Sequence, residues 1–279
     1  MPDYPTTQDR FWLDQCTIYN RVLTLDDREV FFLTQHVIKM TRVPWEVVDE
    51  KEKIGIFVGE ADYEWLVKRD ENEVRAINLI RKHTRIPVPR VIHQGFGFNV
   101  FERKHGTYLN NPQEWLDVKP ANREKIRLQV RSWLEQLKKI PNPTGAIQSL
   151  IPSGELIHEM FRVVGPFAST VLFLAPYVCV PNMQRVHKIN TRNRATFAHM
   201  SLNIFNIVVA PTQDRAVSII NWDRSAFFPE GGRAVHESYI HPKGWETLFD
   251  KMEFPILEVD DQTDDIIFQD GWFIPGEPI

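Results

Sequence analysis

The sequence predicts an α+β protein of two lobes that share a cleft: a first lobe with a small mixed sheet and helices, then a mainly helical one. Three observations carry this. The chain has 279 residues, 43% of them hydrophobic and 25% charged, the make-up of a folded globular protein with length enough for two lobes over one core. Hydrophobic periodicity switches repeatedly between helix and strand through about the first hundred residues and is mainly helical afterwards. No repeat, low-complexity segment or Gly/Ser-rich linker separates the halves, so the boundary is set at 1–103 and 104–279, with the lobes packed on each other.

Element by element, positions 26–40 carry helical periodicity. Positions 63–68 alternate, with Tyr63, Trp65 and Val67 on one face and Leu66 and Lys68 on the other, which reads as a strand. A helix follows over about 71–83. IPVPRVI (86–92) is extended because its prolines exclude helix, and FNVFER (98–103) reads as a strand. In the second half, 122–139 forms a helix with Ile126, Val130, Trp133, Leu134 and Leu137 on one face, ended by Pro141 and Pro143. Positions 206–210 and 216–222 read as two short strands joined by the turn PTQDR. The tail from 256 is acidic and aromatic, suited either to solvent or to lining a pocket for a cationic or flat ligand.

The net charge of −4 argues against nucleic acid as the main partner, and the basic stretch at 185–194 reads as a solvated loop. Cys16 and Cys179 make neither a disulfide framework nor a CxxC pattern, so a reducing, cytoplasmic setting is expected, without zinc or thiol redox chemistry. The N-terminal segment lacks the apolar core of a secretory signal. The most apolar stretch, 168–180, falls short of the ~20 residues that span a bilayer, so no membrane association is expected. The sequence carries no signature of oligomeric state.

Two constellations could carry chemistry. Glu73 shares a helix face with Ile77 and Ile80, which aims a carboxylate at the core; Lys68, on the inward face of the preceding strand, is its nearest candidate partner. The alternative is a capping box, with Asp70 as cap and Glu73 three residues on. The second constellation is FAHMSLNIFNIVV (197–209) followed by VSIINWDRSAFFPE (217–230). It places His199, Ser201 and Asn206 on one loop and Asn221 at the end of a neighbouring strand, and two adjacent strand ends can aim polar groups at one point.

WLVKRDENEVRAINLIRKHTRIPVPRVI (65–92), FERKHGTYLN (101–110), TGAIQSL with the later GPFAST, FAHMSLNIFNIVV and IINWDRSAFFPE occur in order at compatible spacing. Together they resemble the aminoglycoside phosphotransferase and choline kinase-like family, particularly its fungal branch. The third segment is similar to one common in that branch. The fourth resembles the family's HGDLNPxNILV, and the last its IDWExAGxxPE. The resemblance implies a protein kinase-like fold, Lys68 and Glu73 as the ion pair of the nucleotide lobe, and Glu102 at the hinge that faces the ligand.

The departures decide the functional expectation. Ser201 stands where the family has its catalytic aspartate, and Asn221 where it has the metal-binding aspartate; Asn206 is retained. Serine is a poor proton acceptor at neutral pH, and Mg²⁺ prefers anionic oxygen ligands. Asp223 matches an acid the motif already carries, and His199 matches a scaffold histidine, although a Ser201 and His199 nucleophile pair is conceivable. The loop KIGIFVGEADYEW offers Gly55 and Gly59 without GxGxxG spacing. The expected function is a repurposed enzyme that binds or transforms a small organic, secondary-metabolite-like molecule without phosphate transfer, for example by cyclisation, isomerisation, elimination or hydrolysis. Its catalytic candidates are Lys68, Glu73, His199, Ser201 and Asp223, its ligand-binding candidates Glu102, Asn206 and Asn221, with no metal ligands and no cofactor. The alternatives are an ATP- and Mg²⁺-dependent small-molecule kinase with a compensated site, and a non-catalytic pseudokinase.

Overall fold

The computed structural model describes residues 5–24, 28–41, 60–109, 112–157, 165–169, 172–173 and 195–229. A short helix, α1 (Thr7–Leu13), is started by a capping box in which Thr6 and Asp9 exchange hydrogen bonds. Strands β1 (Arg21–Thr24), β2 (Arg28–Phe32) and β3 (His36–Thr41) follow, then a long helix, α2 (Glu60–His83), and strands β4 (Val91–Gly95) and β5 (Phe98–Glu102). The five strands form one sheet in the order β1-β2-β3-β5-β4, and every pairing is antiparallel. The predicted α+β class holds, and a helix inserted between the third and fourth strands of such a sheet is the first-lobe arrangement expected of a kinase-like fold.

Two local expectations are corrected. The helix expected over 26–40 is, over its described part, a β2–β3 hairpin closed by the pair Phe32 and Val37. Val30, Phe31, Phe32, Val37 and Ile38 favour strand, but Leu33, Thr34 and Gln35 between them carry none of the residues that mark a tight turn. The strand expected over 63–68 lies within α2, so Lys68 is helical, and Asp70 sits in the helix interior rather than at its cap. The buried side of α2 holds Leu66, Arg69, Asp70, Glu73, Ile77 and Ile80. Its spacing is helical, but half of these side chains are charged, so hydropathy alone misses the period.

Strand alternation gives the sheet two unlike faces. Phe31, Ile38, Phe98 and Val100 join Trp12 and Cys16 in a small core under α1. The register pairs Arg28 with Thr41, Val30 with Lys39, and Lys39 with Asn99, which puts these residues on the opposite face, toward α2. That face is unusually polar for a buried surface, with Arg28, Lys39, Thr41 and Asn99 each at most 7% exposed.

The second lobe contains β6 (Thr107–Tyr108), α3 (Pro112–Asp117), α4 (Pro120–Leu137), β7 (Gln148–Ser149), β8 (Ala195–Ala198), a 3-10 turn (Ile204–Asn206), β9 (Ile207–Val209), β10 (Ala216–Ile219) and β11 (Ala226–Pro229). Its strands form two small sheets, β10-β9-β6 and β7-β11-β8. Pro120 opens α4, where a missing N–H costs nothing, and the five predicted apolar positions are all buried. They join Phe197, Ile207, Val209 and Trp222, together with Ile77 and Ile80 of α2, in one core that spans both lobes. Gly106 crosses close beneath β9: a Cβ there would lie 2.5 Å from the Val209 carbonyl oxygen. The sequence readings for Gly55, Gly59, 185–194 and the tail from 256 lie outside the described residues.

Candidate functional site

Lys39 is the centre of the site. Its Nζ donates to Glu73 Oε1 at 2.5 Å and to Asn221 Oδ1 at 2.6 Å, and it lies 5.4 Å from the Phe101 ring centroid. The ion pair is buried, with side-chain exposures of 9% and 2%. This corrects the expected Lys68–Glu73 pair. Lys68 instead bonds Glu155 at 2.8 Å and Glu64 at 3.0 Å in a partly exposed cluster, and those two contacts raise its pKa. The reason is geometric: five positions along one helix turn Lys68 and Glu73 about 140° apart, so both cannot face the sheet. Lys39 was missed because its strand was read as helix; the signal available was a lone lysine flanked by Val37, Ile38 and Met40.

From Lys39 a directed chain of amides crosses into the second lobe. Asn206 Nδ2 donates to the Ser201 carbonyl at 2.7 Å, which turns Asn206 Oδ1 toward Asn221. Asn221 Nδ2 donates to that oxygen at 2.5 Å, leaving Asn221 Oδ1 for Lys39. Each amide orientation thus fixes the next. Asn221 adopts a left-handed conformation (φ 63°), which asparagine tolerates better than most residues.

His199 is fully buried against Trp222, their ring centroids 4.4 Å apart. Nε2 lies 3.0 Å from the Ile220 carbonyl and must donate to it, so Nδ1 carries the lone pair. Nδ1 faces both the Ser201 N–H and the Ser201 hydroxyl at 3.3 Å. Burial lowers the His199 pKa to about 4, with the Ile220 hydrogen bond only partly opposing it. The imidazole is therefore neutral and organises the Ser201 loop; its lone pair is already shared with a backbone amide, which weakens it as a base for the serine.

Asp223 is buried between Arg28 Nη1 and Arg69 Nε, each 3.2 Å away. Burial alone would raise its pKa, but Arg69 and then Arg28 hold the carboxyl well below the usual range. Glu102 ends β5 and stands apart. Its strand position falls on the face opposite Lys39, and its carboxylate is taken by Lys104 at 3.2 Å and Arg90 at 3.4 Å. Burial opposes ionisation there, and the Lys104 hydrogen bond outweighs it, so the Glu102 pKa is lowered. Of the expected site residues, the structure brings together Glu73, His199, Ser201, Asn206 and Asn221, with Asp223 beside them, and leaves out Lys68 and Glu102.

The oxygens of Asn206 and Asn221 already accept N–H groups from the protein, and the ammonium of Lys39 sits 2.6 Å from Asn221 Oδ1, where it repels a cation. Among the described residues no group of three His, Cys, Asp or Glu side chains could hold a metal ion. No helix among them is long and apolar enough to cross a membrane.

The chain is similar to solved structures of phosphotransferases. It resembles the gentamicin complex of the aminoglycoside phosphotransferase APH(2'')-IIa, with 9% identity, 83% of this chain and 75% of that one covered, and a TM-score of 0.49. It resembles the GDP complex of an aminoglycoside 2'-phosphotransferase-IIIa mutant, with 11% identity, 78% and 70% covered, and a TM-score of 0.49. A choline/ethanolamine kinase family protein from Mesorhizobium loti shares 14% identity, with 74% and 57% covered and a TM-score of 0.39. No family model and no curated protein matches the chain.

Proposed function

We propose that this chain is a repurposed phosphotransferase-like enzyme that binds and transforms a small, uncharged organic molecule between its lobes without phosphate transfer. The observation that carries this is the Lys39–Asn221–Asn206–Ser201 chain. Beside the retained Asn206, a second neutral amide, Asn221, stands where the resembled family has a carboxylate, and the two are hydrogen-bonded to one another and to Lys39. The carboxylates of the site are paired locally, Glu73 with Lys39, and Asp70 and Asp223 with Arg28 and Arg69, while Arg224 adds a further positive charge near Asp223 and His199.

Lys39 supplies the chemistry. An ammonium has three donors, and Glu73 and Asn221 engage two of them. The third can polarise a ligand carbonyl or hydroxyl and stabilise the oxyanion that develops in an isomerisation, elimination or cyclisation. Glu73 holds the lysine in place through its hydrogen bond at 2.5 Å.

The test is calorimetry with Mg²⁺–ATP, followed by turnover assays on extracts of small organic molecules with and without ATP. No micromolar nucleotide binding and ATP-independent consumption of a ligand are expected. Micromolar, Mg²⁺-dependent ATP affinity would move the assignment to a working kinase, and binding without turnover would leave a pseudokinase.

A further inference from the structure

Asp223 belongs to the turn between β10 and β11 in the second lobe, yet cations of the first lobe hold its carboxylate. Arg28 on β2 reaches it with Nη1, and Arg69 on α2 with Nε, both at 3.2 Å. Arg28 uses its other arm on Asp70 Oδ1 at 2.6 Å, and the second oxygen of Asp70 accepts the Thr41 hydroxyl. Arg28, Thr41, Arg69, Asp70 and Asp223 are each at most 6% exposed.

Neutral contacts run beside this cluster. Asn72 Nδ2 donates to the Asp223 and Ser225 carbonyls at 2.8 and 2.9 Å, while Asn72 Oδ1 accepts the Leu150 N–H at 2.8 Å. Residues 150, 223 and 225 of the second lobe are therefore gripped by side chains that α2 and the polar sheet face present. Hinged clefts open by parting such contacts. Here parting would strip a buried carboxylate of the two first-lobe cations that lie against it, which is the costly way to break a buried ion pair.

We propose that the Arg28–Asp223–Arg69 cluster is a latch that holds the two lobes closed on each other in the ligand-free protein. The cleft is then a preformed container, not a hinge that shuts on its ligand. The inference is independent of which ligand the site takes.

Hydrogen exchange read by mass spectrometry on the full chain, without ligand, tests it. In Asp223→Asn, exchange in β2 and β3 and in residues 216–223 should rise together by more than about a hundredfold, the change expected when a buried charge loses its partner. Peptides from α4 should change far less. Faster exchange confined to 216–223, no change, or an equal rise that includes α4 would overturn the latch. If Asp223→Asn does not fold, Arg28→Lys is read by the same criteria: it keeps the charge but loses the fork that reaches two carboxylates.

Discussion

Asn221 donates its side-chain amide to Asn206 Oδ1 over 2.5 Å, in a direction set by the hydrogen bond from Asn206 to the Ser201 carbonyl. A carboxylate at position 221 could accept from Lys39 but could not supply that donor. The site is thus built around an amide, and its chemistry follows from that.

Asn221→Asp should destabilise the protein by about 1–3 kcal/mol in metal-free buffer, since Asn206 Oδ1 would face a carboxylate in a buried setting. Urea unfolding measures this directly. The double change Ser201→Asp with Asn221→Asp should also reduce ligand binding or turnover. An unharmed native activity together with new Mg²⁺–ATP binding would indicate an eroded kinase site rather than a repurposed one.

Lys39→Met leaves Glu73 charged and buried without its partner, at a cost of about 3–5 kcal/mol. Adding Glu73→Leu should recover much of that loss. Lys68→Ala, in a partly exposed cluster, should cost no more than ~1 kcal/mol. Denaturant midpoints of the four proteins check the ranking, and an equal cost at Lys39 and Lys68 would contradict the burial assigned to each.

His199 gives a pH dependence of known sign. Its folded pKa is about 4, below the ~6.5 of an unfolded chain, so the unfolded state binds more protons between these values. The contribution of His199 is fully present above ~6.5 and declines as pH falls toward 4, at up to ~1.4 kcal/mol per unit. Urea unfolding across this window should show a shallower slope in His199→Gln than in the parent. Parallel slopes would mean that the imidazole is not buried neutral.

Gly106→Ala would drive a methyl group to 2.5 Å from the Val209 carbonyl oxygen and 2.7 Å from Val208 Cγ1. The β6–β9 pairing must then shift, at a cost of about 1–3 kcal/mol. A thermal melt that matches the parent would show that the close approach is relaxed in solution.

The sequence alone determined the α+β class, the core-facing side of α4, the β9–β10 hairpin and the inward aim of Glu73, because each depends on local period or on turn residues. It also placed Ser201, Asn206 and Asn221 near one another, since two short strand ends hold them. The tertiary structure decided the partner of Glu73. Lys39 is 34 positions away, and only strand register and the docking of α2 bring the two side chains together. The same holds for Asp223, whose cations come from 154 and 195 positions away in the chain. The polar residues that make these contacts replaced the apolar ones by which buried faces announce themselves. The period of α2 was hidden for that physical reason: where a buried surface is held by paired charges, hydropathy no longer records which side faces in.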